Sequence, residues 1–334
     1  MKRINSLIIG QGIAGTMVAY QLQQRGLSIM VIDSGKINTA SRIAAGMFSS
    51  ISGKRKTFDV EMFTKQKFAI GNFRMIEKLL GVKFLREENI IQLFHSEKEK
   101  TETLERMKDE NFSAQIELKN SHIKNIKDEH GSIAIKNSGW IDCELMLKAY
   151  RNYLIENNSF SIDNFKYDEL EIKEDFLRYK DFEATNIIFC EGYQKRKNPF
   201  FENEHIIPCK GDVITLKHAN HRNKKILKRS NYFLIPTNEE TVKAGSTYLW
   251  SNDDEQLNES HGIEIKNKVD EIFSDEFEII NHQTAIRPTT KNREVIAKQH
   301  SLYKNMFMLN GLGTKGIIQA PFYANYITEM IKIK

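Results

Sequence analysis

At 334 residues the chain is too long for one simple mononucleotide fold and fits two domains. Hydrophobic residues make up 40% and charged residues 28%, the balance of a globular protein with a sizeable core. The formal net charge of +5 comes from interspersed Lys and Glu; it suits an anionic substrate and does not demand nucleic acid, which stays open as a partner. No run approaches a membrane span, and the glycine motif interrupts the first apolar stretch too early for an export signal, so a cytoplasmic location is expected. Cys143, Cys190 and Cys209 are few, odd in number and widely spaced, unlike a disulfide framework or a metal site. The nine histidines show no HExxH, and His218 and His221 read as part of a solvated loop.

Leu7, Ile8 and Ile9 form an apolar, β-branched run typical of a buried parallel strand. Gly10, Gln11, Gly12, Ile13, Ala14 and Gly15 follow with the spacing GxGxxG. Met17, Val18, Tyr20 and Leu22 then recur at helical spacing, and a second apolar strand from Ile29 ends in Asp33. Gly10 permits the tight turn, Gly12 lets backbone approach a pyrophosphate, and Gly15 lets helix and strand pack closely. The helix start offers unpaired N–H groups to an anion, and Asp33 offers an acceptor to a ribose hydroxyl. The residues alone leave FAD and a nicotinamide nucleotide open.

Small residues from Thr39 to Gly46 permit close backbone approach to something bulky, and the basic patch Lys54, Arg55 and Lys56 reads as solvated. A long helix is expected over 58–81, broken near Gly71, followed by strand material over 84–94 and a charged helix over 97–109. Short strands are expected at 112–118 and 131–135, then a helix after Asp142 as N-cap. Further strands fall at 159–162, 170–172, 176–179 and 186–190, the last with Gly192 at its C-terminal end, where ligands lie in doubly wound sheets. Alternation over 206–216, 231–236 and 241–250 indicates a separate antiparallel sheet, with a hairpin at Asn238. An amphipathic helix over 264–273 leads to a strand at 306–309, the loop NGLGTKG and a final helix from about Ile317. This closing strand, glycine loop and helix echo the opening and suggest that both ends of the chain meet at one cofactor.

In their order, GxGxxG, ASRIAAGM, GWID, IPCKGDVITL, AGSTYLW, AIRPTTKNREVI and GLGTKGIIQAP resemble the FAD-dependent oxidoreductases of the D-amino acid oxidase class, above all glycine oxidase and sarcosine oxidase. The resemblance spans essentially the whole chain. It implies an α/β fold: an FAD-binding Rossmann-like domain from residues 1–85, 138–205 and 286–334, interleaved with an antiparallel-sheet substrate domain from 86–137 and 206–285. Gly10, Gly12, Ile13, Ala14, Gly15, Asp33 and Ser34 would hold the ADP part of FAD. Ser41, Arg42, Ala44, Ala45, Gly46 and Met47 would line the diphosphate and the flavin ring, with Gly192 beside the diphosphate. Phe165 or Tyr167 would meet adenine through its backbone. Gly311, Gly313, Thr314, Lys315 and Gly316 would approach the pyrimidine side of the flavin, where a helix N-terminus favours negative charge.

By the same resemblance Arg287 would grip a substrate carboxylate, since a planar guanidinium matches a planar carboxylate. Tyr248 would reach the pocket from the substrate sheet. Tyr232 and Phe233 alternate, so only one faces the flavin, and a tyrosine–carboxylate contact favours Tyr232. The implied activity is oxidation of a small amine carboxylate of the glycine, sarcosine or D-amino acid type, with oxygen or another electron acceptor. Carboxymethylaminomethyl uridine in tRNA is an alternative substrate, an amino acid dehydrogenase with a non-oxygen acceptor another, and a flavin-binding protein without turnover a third. Several positions depart from the family pattern. Leu312 stands where a histidine is frequent, Glu191 falls in the usual small stretch before Gly192, and Asn292, Arg293, Glu294 and Ala297 alter the segment after Arg287. No cysteine follows Cys209, so non-covalent FAD is expected. Glu191 beside a diphosphate would be unfavourable unless paired or turned away.

Overall fold

The computed structural model describes every residue outside 53–55, 120–124, 219–223, 252, 274–275 and 332–334. Lys54, Arg55 and His221 lie outside the described residues. The opening strand Lys2–Ile9 is the centre of the first sheet, parallel to Ile29–Asp33 on one side and to Phe182–Phe189 on the other. Phe160–Ile162 extends the sheet beyond Ile29–Asp33, and Met306–Asn310 lies parallel to the C-terminal half of Phe182–Phe189. Leu7, Ile8, Val31, Ile187 and Ile188 are fully buried because helices or other strands cover both faces.

The helix Ile13–Gln24 packs on this sheet with Met17, Val18 and Leu22 fully buried. The last helix, Gly316–Met330, brings Ala320, Ala324 and Ile327 into the same core. Strand ends carrying both glycine-rich turns therefore point the same way from one sheet. A three-stranded sheet of Met47–Ser49, Ser138–Ile141 and Leu85–Glu87 sits beside it, held by Glu77, whose carboxylate accepts from the Phe84 and Leu85 N–H groups at 2.7 and 2.8 Å.

The third sheet has nine strands, and its longest pair is Ile207–Lys217 against Glu278–Thr289. One face is covered by the helix Glu259–Asp270 through Ile265 and Val269, packed on Ile214, Leu216, Leu234 and Ala244. On the opposite face Val213, Phe233 and Ile235 pack with Ala45 and Met47. That second face is the one turned toward the first sheet's loops. Two of the expected boundaries fall inside strands, at 85/86 in Leu85–Glu87 and at 285/286 in Glu278–Thr289.

Other differences have local causes. The helix Val60–Leu80 runs unbroken through Gly71, because Ala69, Phe73 and Ile76 bury on one face and outweigh the roughly 1 kcal/mol cost of a helical glycine. Residues expected as one strand from 112 begin instead with the turn Glu110–Ser113, capped by Asp109, which accepts from the Asn111 and Phe112 N–H groups. The amphipathic helix starts earlier than its apolar stripe, at Glu259, because Asn258 caps it. Lys56 is not solvated: it is buried and paired with Glu99 at 2.6 Å, with its ammonium over the Phe94 ring. Among the described residues no helix is long and apolar enough to cross a membrane.

Candidate active site

The first half of the site is a cradle at the ends of the parallel strands. Gly10 has φ +98°, and a Cβ there would lie 2.5 Å from the Cys190 carbonyl oxygen; at Gly15 it would lie 1.8 Å from the Gly10 oxygen. Only glycine permits this turn and this helix–strand approach. The helix that follows has no acidic residue in its first turn, so the positive end of its dipole is open to an anion. Ser41 Oγ accepts from the Ile13 N–H at 3.0 Å, placing the Ala40–Ile43 turn against that helix start.

Asp33 closes the cradle. Its Oδ2 accepts from the Gln11 N–H at 2.7 Å, and its Oδ1 from the Gly35 N–H at 2.9 Å and from Arg151 Nη2 at 2.8 Å. Ser34 beside it is exposed. Sequence reasoning missed Arg151, although a signal existed: Cys143, Leu147, Tyr150 and Leu154 mark the buried stripe of its helix, and Arg151 follows at i+8 from Cys143. Burial lowers its pKa, with Asp33 opposing the shift. Arg42 completes the set, since its Nη2 is buried with no hydrogen-bond partner among the described residues. A buried guanidinium nitrogen with no acceptor among the described residues, a helix start with no acidic side chain and a carboxylate at the second strand's end together fit the diphosphate and ribose of a dinucleotide.

The second half is built by both ends of the chain. A Cβ on Gly316, at the start of the last helix, would come within 3.3 Å of Ile13 Cγ2, so the two glycine turns adjoin. Asn310 Nδ2 donates to the Gly192 carbonyl at 2.9 Å, bringing the central and closing strand ends together. Gly313 N–H donates to the Pro288 carbonyl at 2.9 Å, setting the closing loop beside Arg287's strand. Gly311 is buried, Thr314 is exposed, and Lys315 has its pKa lowered by burial despite Asp59 nearby. Across the site, Ala44 accepts from Lys243 Nζ at 3.1 Å, and burial lowers that lysine's pKa too. Gly46 turns with φ +70° into the strand that starts at Met47.

Arg287 lies on the face of the nine-stranded sheet turned toward this cradle. Its guanidinium covers Gly211, where a Cβ would clash at 2.1–2.3 Å. Nη2 donates to Ser246 Oγ at 2.9 Å; Nη1 donates to the Thr247 and Lys210 carbonyls at 3.2 and 3.4 Å. The Tyr248 ring stacks on it with 4.6 Å between centroid and Cζ. Tyr232 is set aside from this group. Its hydroxyl donates to Glu264 at 2.6 Å on the helix-covered face, and the alternation puts Phe233 on the cradle side instead. The physical reason is the helix Glu259–Asp270, which covers the face that Tyr232 occupies.

Glu191 is turned away from the cradle. Its carboxylate accepts from the Tyr167 hydroxyl and from Asn198 Nδ2 at 2.8 Å, and burial pushes its pKa up against these bonds. Tyr167 and Phe165 pack edge-on to each other in an aromatic cluster with Phe189. Leu312 is buried against the first core.

The FAD dependent oxidoreductase profile (DAO) matches residues 6–330. The chain belongs to this FAD-dependent oxidoreductase family. FAD is the family's cofactor, and the cradle's donors, the buried Arg42 Nη2 among them, fit it. Glycine oxidase from Geobacillus kaustophilus superposes with a TM-score of 0.83 at 15% identity, covering 99% of this chain and 95% of that one. Iminodiacetate oxidase (IdaA) from Chelativorans sp. BNC1 superposes with a TM-score of 0.80 at 18% identity, covering 98% and 95%. The tRNA 5-methylaminomethyl-2-thiouridine biosynthesis bifunctional protein MnmC of Legionella pneumophila (strain Corby) is 20% identical over 98% of this chain and 54% of its own length. The chain thus spans about half the length of the curated relatives it matches. At these identities the superpositions speak to the fold.

Proposed function

We propose that the protein oxidises the C–N bond of a small amine bearing a carboxylate, of the glycine, sarcosine or D-amino acid type. The observation that carries this reading is Arg287: a half-buried guanidinium on the cradle-facing side of the sheet, held along part of its edge by Ser246 Oγ and two carbonyls. A fixed, planar cation beside a flavin site is suited to a two-pronged carboxylate contact that orients the α-carbon. Bound FAD supplies the hydride acceptor at N5. Gly10, Gly12, Gly15, Asp33 and Arg42 would hold its nucleotide end, and the 44–47 and 311–316 segments its ring.

Tyr248 flattens one face of the Arg287 guanidinium and keeps it from turning toward solvent. The amine reacts when neutral, so a dedicated catalytic base is not required. The imine formed hydrolyses in water, and oxygen accepts the two electrons as hydrogen peroxide. Anaerobic mixing with glycine, sarcosine, D-amino acids and proline tests the reading through bleaching of the flavin absorbance. Arg287→Ala should lose about 2–5 kcal/mol of substrate binding; unchanged reduction of that variant by the best substrate refutes the anchoring role.

A second reading is favoured by the match to MnmC over nearly the whole chain. There the amine would be the carboxymethylaminomethyl group of a tRNA uridine, and the same arginine would hold its carboxylate. Flavin bleaching by modified tRNA, with no response to free amino acids, would select it.

A further inference from the structure

Three of the contacts that hold Arg287 come from one short segment: Ser246 Oγ, the Thr247 carbonyl and the Tyr248 ring. This segment lies between the strands Thr241–Gly245 and Leu249–Trp250, outside their ladders with Ile207–Lys217. Its side-chain tether on the far side is Thr247, whose hydroxyl accepts from the Asp212 N–H at 2.9 Å and donates to Asp212 Oδ2 at 2.8 Å. Asp212 is fully buried. His261 Nδ1, from the covering helix, stands 3.1 Å from its Oδ2, and His282 Nε2, from the paired strand, stands 3.1 Å from its Oδ1. Lys210, on the same face of the same strand, is turned to the Gln256 carbonyl and Asp254.

A buried carboxylate costs stability unless donors satisfy it, and here both oxygens are engaged. The arrangement fastens the back of the 246–248 segment while its front holds the arginine. We infer that Asp212, acting through Thr247, is a positioning residue for Arg287, and that His261 and His282 keep its carboxylate in the orientation that accepts the Thr247 hydroxyl. This rests on the carboxylate-binding reading of Arg287. Without the tether the segment shifts, the guanidinium loses two acceptors and its stacking partner, and carboxylate affinity falls before chemistry does. A displaced guanidinium loses the two-pronged geometry on which the contact's strength depends, at a cost of about tenfold in affinity.

The test uses the FAD-loaded protein and methoxyacetate, which keeps the carboxylate and chain of sarcosine but replaces the amine nitrogen with an ether oxygen. Calorimetric titration measures its affinity, and anaerobic flavin reduction measures KM and the saturated rate separately. Thr247→Val should weaken methoxyacetate about tenfold and raise KM in parallel, leave the saturated rate within about twofold, and retain the flavin spectrum. Thr247→Ser, which keeps the hydroxyl, should restore affinity. Loss of affinity in Arg287→Ala with none in Thr247→Val overturns the inference alone. A fall in the saturated rate matching the fall in affinity also overturns it. Unchanged affinity in both variants overturns the reading of Arg287 and the inference with it.

Discussion

Gly211→Ala separates the position of Arg287 from its chemistry. The new Cβ would stand 2.1 Å from Nη1, 2.2 Å from Nη2 and 2.3 Å from Cζ. Ordinary contact needs about 3.5 Å, so the guanidinium must withdraw by roughly 1.2–1.4 Å. That breaks or stretches its bonds to Ser246 Oγ and the Thr247 carbonyl, now 2.9 and 3.2 Å. The clash falls on the free end of a flexible side chain, so the strands need not move. Folding stability should stay within about 1 kcal/mol of the parent. Carboxylate binding should fall about 10- to 100-fold, or about 1.4–2.8 kcal/mol. Urea denaturation gives the first quantity and anaerobic flavin titration with sarcosine the second. If Gly211→Ala binds and reduces like the parent, the guanidinium over Gly211 is not the substrate's anchor.

Gly15→Ala places a Cβ 1.8 Å from the Gly10 carbonyl, so the purified variant should emerge without bound flavin, scored by its absorbance ratio. Arg42→Met should weaken FAD by about tenfold or more in a reconstitution titration, because its buried Nη2 has no acceptor among the described residues; equal affinity would place the diphosphate elsewhere. Tyr232→Phe removes only the bond to Glu264, so KM and the saturated rate should be unchanged, and a marked rise in KM would restore Tyr232 to the site. Glu77 is expected to make stability acid-sensitive. Burial raises its pKa, but the Leu85 and Phe84 N–H groups and Lys83 outweigh burial and hold it below its ordinary value. The stability it contributes is therefore full above the unfolded carboxyl value near 4.5 and is lost as pH falls through the lower folded value. Urea midpoints measured from pH 6 to pH 3 should drop less in Glu77→Gln than in the parent.

Much of the fold was legible because its signals are local. A fully apolar strand, a glycine turn and a helix follow one another within residues 7–24, and each dictates its own backbone. The cradle-facing side of the nine-stranded sheet was not legible in this way. Alternation says that Tyr232 and Phe233 face opposite sides, but the choice depends on where the helix Glu259–Asp270 docks, which is decided by tertiary packing. The cluster behind Arg287 is harder still. Asp212, Thr247, His261 and His282 belong to different elements, and only strand pairing and helix docking bring them together. Arg151 shows the intermediate case: its place on a buried helical stripe was readable, while its partner Asp33 was not.

The adjoining glycine turns also bear on how the protein is made. Gly12 and Gly316 open two touching helices, yet nearly the whole chain separates them. During synthesis the N-terminal half of the cradle emerges long before Met306–Asn310 can join the first sheet. A nascent chain therefore lacks one half of the cradle until Met306–Asn310 and Gly316–Met330 have left the ribosome. Ligand linkage stabilises whatever binds the cofactor, so a cradle that needs both turns ties that stabilisation to their joining. A chain cut short before Gly316 lacks one of the two turns and with it this source of stability.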